Sequence, residues 1–262
     1  MSNASLATGR SNRWLARATL AALTALTTVA ASQLAVADSP RHQARSRSTH
    51  VNPQSAQSAA RAIESARETW QGRMYRELIA DHTRWFFSVP TEVSSANPAE
   101  TGANCGLNQD GPVWFMMGPA LPTFTVTCNV PAGKALFLPA LGYAYDFPCP
   151  APYPQLPPGQ SVEAFLSAMS AEVIDGISSA TMTLDGKAIK LRRAATGVFS
   201  FTAAKGWENW DVCATGSPQL AQTDGLWALI DPPSVGKHTI KLQLVHPAFG
   251  AIDGTWIVNV VR

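Results

Sequence analysis

From Gly111 to the C-terminus the apolar residues of this chain come in short runs punctuated by glycine, proline and Asp-Gly. This constrains the fold more than any other feature, because such runs between turn formers are long enough for strands and too short for most helices. Val113 to Met117, Phe124 to Val130 and Ala135 to Leu141 read as strands, separated by Gly118-Pro119 and Pro131-Ala132-Gly133. Phe124, Val126 and Cys128 alternate with polar residues and share one face. Thr181 to Leu184 and Ala188 to Leu191 flank Asp185-Gly186, a pair that supplies the positive φ of a tight hairpin. Val198 to Phe201, Leu226 to Ile230, His238 to Val245 and Thr255 to Val261 complete the strands, and TIKLQLV alternates as a half-wet sheet does.

Helical spacing occurs in two places. Ala59, Ile63, Ala66, Trp70, Met74 and Leu78 fall on one stripe, weakened at Gly72, and the following Trp85 to Val89 ends at Pro90. Val162, Phe165, Leu166, Met169 and Val173 form a second stripe, with Gly176 at the position of a C-cap. Between the strands and this helix, Pro148 to Pro158 holds six prolines and excludes regular structure. The expected fold is therefore mainly β: an antiparallel β-sandwich, jelly-roll or immunoglobulin-like, with an N-terminal helix and one inserted helix.

The N-terminus carries a different signal. Arg10, Arg13 and Arg17 precede the acid-free apolar run Ala18 to Ala31, and Ala35 and Ala37 suit a signal peptidase cutting before Asp38. The chain then divides into a signal peptide (1–37), a polar, basic, flexible leader (38–55) and one domain (56–262), with no transmembrane anchor after cleavage and a secreted or periplasmic location. Residues 1–37 hold three positive charges and 38–50 a net two more, so of the overall +2 the remainder, 51–262, carries −3. A negative folded part argues against nucleic acid as a partner.

Cys105, Cys128, Cys149 and Cys213 all follow the cleavage site, and an even number in an exported chain favours disulfides. Three pairings are open; Cys105 with Cys128 and Cys149 with Cys213 is favoured, since the first closes a local loop and the second ties the proline-rich loop to a distant one. No C-x-x-C, HxH, HExxH or EF-hand spacing occurs, so no metal and no cofactor are expected.

Trp85, Pro90, Asn97-Pro98, Gly102, Cys105, Asn108-Gln109, Gly111-Pro112-Val113-Trp114-Phe115, Gly118, Cys128 and Val130-Pro131-Ala132-Gly133-Lys134 together resemble an uncharacterised family of secreted bacterial proteins with a C-x-x-N-Q-x-G-P-V-W-F … C-x-V-P-A-G-K signature. A looser similarity continues through Ala221 to Trp227 and Pro233 to Ile240, so most of residues 85–262 is covered. The resemblance implies export and a β-rich fold and brings no catalytic role.

Two clusters carry candidate chemistry. Trp207-Glu208-Asn209-Trp210-Asp211 places two indoles, two acids and an amide in a loop between strands, a composition suited to sugars: indoles cover the apolar ring faces and acids take the hydroxyls. Tyr143, Tyr145 and Asp146 lead into Cys149. A Cys149–Cys213 bond would bring the two clusters to one end of the domain. Trp207, Trp210, Tyr143 and Tyr145 are the candidate ligand-binding residues. Glu208, Asp211 and Asp146 are the candidates for acid–base work, which needs two carboxylates facing across a cleft. Asp110, Asp175, Asp185, Asp224 and Asp253 each precede glycine and read as turn residues. No Ser-His-Asp arrangement or G-x-S-x-G elbow is legible around His82, His238 or His246. The expected function is a non-enzymatic envelope or extracellular binding module, with a glycan or an envelope component as its partner. The alternatives are a carbohydrate-active hydrolase or lyase on the same scaffold, and an assembly component without a small-molecule site.

Overall fold

The computed structural model describes residues 52–65, 68–97 and 99–262. The signal segment and nearly all of the leader lie outside the described residues, as does Ala66 of the first stripe. Helix α1 (Pro53–Ser65) starts within the stretch expected to be irregular, with the Asn52 side chain accepting from the Gln54 N–H at 2.9 Å as an N-cap does.

The single N-terminal helix read from the stripe is two helices. Between α1 and α2 (Tyr75–Ser88) a small hairpin, β1 (Thr69–Trp70) with β2 (Arg73–Met74), turns through Gln71 and Gly72, whose φ values are 47° and 80°. That is the backbone of a two-residue hairpin turn, and the hairpin interrupts the helical period that the spacing of Trp70 and Met74 mimics.

The remaining strands are β3 (Val113–Phe115), β4 (Thr123–Pro131), β5 (Ala135–Phe147), β6 (Ser179–Leu184), β7 (Lys187–Ala188), β8 (Arg192–Ala195), β9 (Phe199–Phe201), β10 (Gln219–Ile230), β11 (Gly236–His246) and β12 (Gly250–Val261); α3 (Val162–Asp175) is the inserted helix. One sheet runs β3-β5-β10-β8, with β9 also on β10, and the other runs β4-β12-β11-β6-β7. The protein is mainly β, but its sheets are mixed rather than purely antiparallel. β3 lies parallel to β5 and β4 parallel to β12. The chain leaves the first sheet after β3, crosses to make β4, and returns as β5 in the same direction. β4 and β12 come from distant parts of the chain, so no hairpin dictates opposite directions for them.

Residues from both sheets share one apolar core: Leu136, Leu138 and Ala228 on one side face Val126, Ile240, Leu242 and Trp256 on the other. The first sheet is buried on its other face too, where α2 covers it through Leu78, Ile79 and Trp85. This is why Trp114 and Phe115, which point in opposite directions, are both buried, and why β5 begins as a continuous apolar run rather than an alternating one. Beyond the end of the second sheet, α3 takes over the inner face, and α1 packs on α3 and β8.

Of the five Asp-Gly pairs, Asp185-Gly186 turns the β6–β7 hairpin with φ values of 50° and 79°. Asp224-Gly225 and Asp253-Gly254 lie inside β10 and β12 instead. Their glycines serve close approach rather than backbone conformation: a Cβ on Gly225 would lie 2.7 Å from the Trp227 indole nitrogen, and one on Gly254 2.4 Å from the Phe124 ring. Gly176 is likewise in ordinary helical conformation (φ −71°), and a Cβ there would meet His246 Nε2 at 2.6 Å.

Asp224 is the most consequential of these departures. Its side chain is fully buried, and Arg193 of β8 binds it through Nη2–Oδ2 (2.8 Å) while reaching Asp175 at the end of α3 (2.5 Å). Burial pushes the Asp224 carboxyl up and the Arg193 guanidinium opposes that shift. One guanidinium thus ties β8, β10 and α3 together.

Cys105 is bonded to Cys128 and Cys149 to Cys213, with Cα–Cα separations of 5.8 Å and 4.5 Å. The first bond fixes the loop before β3 to β4. The second joins the end of β5 to the loop that follows the short 3-10 turn Trp207–Asn209.

Candidate functional site

β5 has β10 along one edge throughout, but β3 covers its other edge only at Ala135–Phe137. The direction of its later backbone groups follows from the register. Thr196 N–H donates to the Thr223 carbonyl, so Thr223 turns toward β8 and its neighbours Gln222 and Asp224 turn toward β5. Their partners Tyr145 and Tyr143 therefore face β10, and the backbone groups of Gly142 and Ala144 point away from the sheet. Among the described residues no other backbone group bonds to them. This open edge runs along a cavity of about 430 Å³, whose walls come from α2, the loop Met117–Pro122 and the loop Trp207–Cys213. Phe86, Phe87, Leu121, Leu141 and Trp210 make these walls predominantly apolar.

The polar groups gather at one end. Asp146 is 5% exposed and its Oδ2 accepts from Gln219 Nε2 at 2.6 Å. Gln219 is itself fixed by the Cys213 carbonyl (2.9 Å) and by Thr215 N–H, which donates to its Oε1 (2.8 Å). Asp211 Oδ1 accepts from Cys213 N–H at 3.0 Å. A carboxylate oxygen of Asp146 lies within 4.8 Å of one of Asp211, so the disulfide does bring together acids 65 positions apart in the chain. Burial, reinforced by the Asp211 charge, pushes the Asp146 carboxyl up to about 8; burial also raises Asp211, against the bond from Cys213 N–H. Tyr143 is raised by burial first and then by charge at Asp211, Asp146 and Tyr153, and Tyr145 by burial first and then by charge at Tyr143 and the same three groups. Among the described residues no cationic side chain contributes to any of these four shifts. The Tyr145 hydroxyl is buried and finds no hydrogen-bond partner among the described residues. The pair of acids therefore has no cationic partner among the described residues and keeps a proton near neutral pH, with polar capacity left over.

The sequence-derived candidates divide. Asp146, Asp211, Tyr143 and Tyr145 converge on the cavity, although the pleat sends the tyrosines toward α3 and Asp146 to the opposite side of the strand. Trp207 is not an open stacking face: it is 3% exposed, donates its indole N–H to the Val89 carbonyl (2.9 Å), and packs on Phe86 and Phe87. Trp210 is half-buried at the cavity wall, edge-on to Trp207. Glu208 is exposed and accepts from Gly206 N–H (2.9 Å), closing its own turn, so it is set aside as an acid–base partner of Asp146. As metal ligands the site offers two carboxylates, since Cys213 is consumed by its disulfide. Two fall short of the six to eight oxygens that calcium takes.

Three participants escaped the sequence reading. Gln219 lies among residues that look like an ordinary turn before a strand. The open edge left one sign, small Gly142 and Ala144 alternating with Leu141, Tyr143 and Tyr145. His82 lines the cavity from α2, caged by Trp85, Phe115, Phe137 and Trp227. Burial lowers it to about 4, so the ring is neutral and Nε2–H donates to the Met116 carbonyl at 3.0 Å.

No family model and no curated protein matches the chain. Two solved structures are similar to parts of it. One, described as the structure of PbICP-C in complex with falcipain-2, is 12% identical and covers 58% of this chain and 100% of its own, with a TM-score of 0.23. The other, the solution structure of Amebosin, is 13% identical and covers 53% of this chain and 96% of its own, with a TM-score of 0.19.

Proposed function

We propose that this chain is an exported, non-catalytic binding module whose ligand lies in the cavity along β5. The observation that carries the reading is the division of that cavity into apolar walls and one uncompensated acidic end at Asp146 and Asp211. Pockets that hold small molecules or peptides combine these features: apolar area for affinity and a few converging polar groups for orientation. The N-terminal sequence, two disulfides, and the absence among the described residues of a helix long and apolar enough to cross a membrane support an exported protein. Two facing sheets of a β-sandwich, of jelly-roll or immunoglobulin-like type, would present the loops that wall the cavity. A glycan remains within this reading only through Trp210, because Trp207 is committed to the core.

A neutral naphthylamine dye, fluorescent in apolar surroundings, tests the cavity directly. Saturable enhancement with one site per chain is expected, weakened about tenfold (1.4 kcal/mol) by Ala144→Trp, with an unchanged circular dichroism spectrum. Equal binding by the folded variant would contradict the reading.

The hydrolase alternative keeps one observation in its favour, a carboxyl that holds its proton near neutral pH beside a second acid. It requires that Asp146→Asn abolish product formation from a cleaved ligand while binding persists.

A further inference from the structure

We infer that the ligand is an extended peptide carrying a lysine or arginine, which adds as a strand to the open edge of β5 and sets its cationic side chain against Asp146 and Asp211. The inference rests on the binding-module reading and names its ligand class.

Three independent features point there. The first is the edge: Gly142 and Ala144 direct unpartnered backbone groups into the cavity, two residues apart as a strand partner needs. Both residues are small, so no side chain of theirs screens the backbone. Exposed strand edges are templates for pairing, and proteins that do not use one usually block it with charge, proline or a covering segment. The second is charge. The acids at the end of this edge have no cationic partner among the described residues, and a ligand ammonium or guanidinium would supply one. The third is the walls. Apolar Phe86, Leu121 and Trp210 suit the apolar neighbours of a basic residue better than they suit a wholly polar chain. Together they specify backbone conformation, charge and flanking side chains of one ligand.

The test uses the disulfide-bonded chain and a blocked peptide of alternating valine and alanine with one central lysine, followed by calorimetry. Saturable one-to-one binding is expected. Norleucine in place of lysine should weaken it at least about tenfold, and the protein variant Asp146→Asn/Asp211→Asn should do the same. The two changes combined should cost no more than either alone, the signature of one shared contact. N-methylation of the peptide amides that face β5 should abolish binding while N-methylation of the alternate amides leaves it, a readout independent of the folding of any variant. Additive losses, or indifference to N-methylation, would overturn strand addition. Alkylamine or naphthylamine binding without peptide binding would overturn this inference and leave the binding-module reading standing. Failure of all these probes would remove both.

Discussion

Arg193→Met is expected to lower the unfolding free energy by about 3–5 kcal/mol, the usual cost of removing one partner from a buried ion pair. Asp224 would be left with no solvent contact and with only the backbone N–H of Gly225 (2.7 Å) still bonded to its carboxylate. The loss should not come from Asp175, which is partly exposed and can turn to water. Arg193→Met/Asp224→Asn separates the two: it removes the stranded charge and should recover most of the loss, because the penalty lies in the uncompensated carboxylate rather than in the attraction. Urea unfolding of the two variants checks this. A double variant as unstable as the single one would place the cost in packing between β8 and α3 instead.

The second large effect is a hidden pH dependence. His82 is depressed on folding from 6.5 to about 4, so between these values the unfolded chain binds the extra proton and His82 makes stability rise with pH. Asp146 is raised from 3.8 to about 8, so over that range the folded chain binds the extra proton and Asp146 makes stability fall as pH rises. Each contributes a slope of roughly 1.4 kcal/mol per pH unit. Between about pH 4 and 6.5 they oppose one another; above 6.5 His82 no longer contributes, and the raised His238 acts in the same sense as Asp146. Relative to the native protein, Asp146→Asn should therefore gain stability progressively from pH 4 to pH 8. Between pH 4 and 6.5 its own curve should rise more steeply with pH than the native one, because Asp146 no longer opposes the His82 slope. Parallel curves for variant and native protein would mean that Asp146 titrates as an ordinary surface carboxylate.

Both effects involve residues whose partners the sequence does not reveal. Arg192-Arg193-Ala194-Ala195 opens with two charges and carries no alternation, yet it is a strand, because β10 and α3 supply the environment that its composition does not advertise. Asp224-Gly225 has the composition of a turn and the position of a strand centre. Trp227 takes the space that the missing Cβ of Gly225 leaves, and Arg193 compensates the acid. By contrast, strands whose alternation is intrinsic, such as Phe124 to Val130 and His238 to Val245, were legible with errors of a residue or two at their ends. The inserted helix was legible for the same reason, its period being unbroken.

The candidate site was half legible. Composition singled out Asp146 and Asp211, and the bond between Cys149 and Cys213 that joins their neighbourhoods is the favoured of three open pairings. What composition could not supply was direction. Trp207 and Trp210 are equally aromatic, but the 3-10 turn sends one indole into the core, where it bonds to the Val89 carbonyl, and leaves the other at the cavity wall. The open edge of β5 was invisible for a similar reason. It exists because β3 stops at Phe115, opposite Phe137, and the length of a neighbouring strand is a tertiary fact.

Amide hydrogen exchange at Gly142 and Ala144, followed by NMR with and without the lysine peptide, tests the account at its centre. Both amides should exchange quickly in the free protein, as unpartnered edge groups do, and slow by at least about tenfold when the peptide saturates the cavity. Amides already protected in the free chain, or unchanged at saturation, would mean that the edge of β5 is not where the ligand binds.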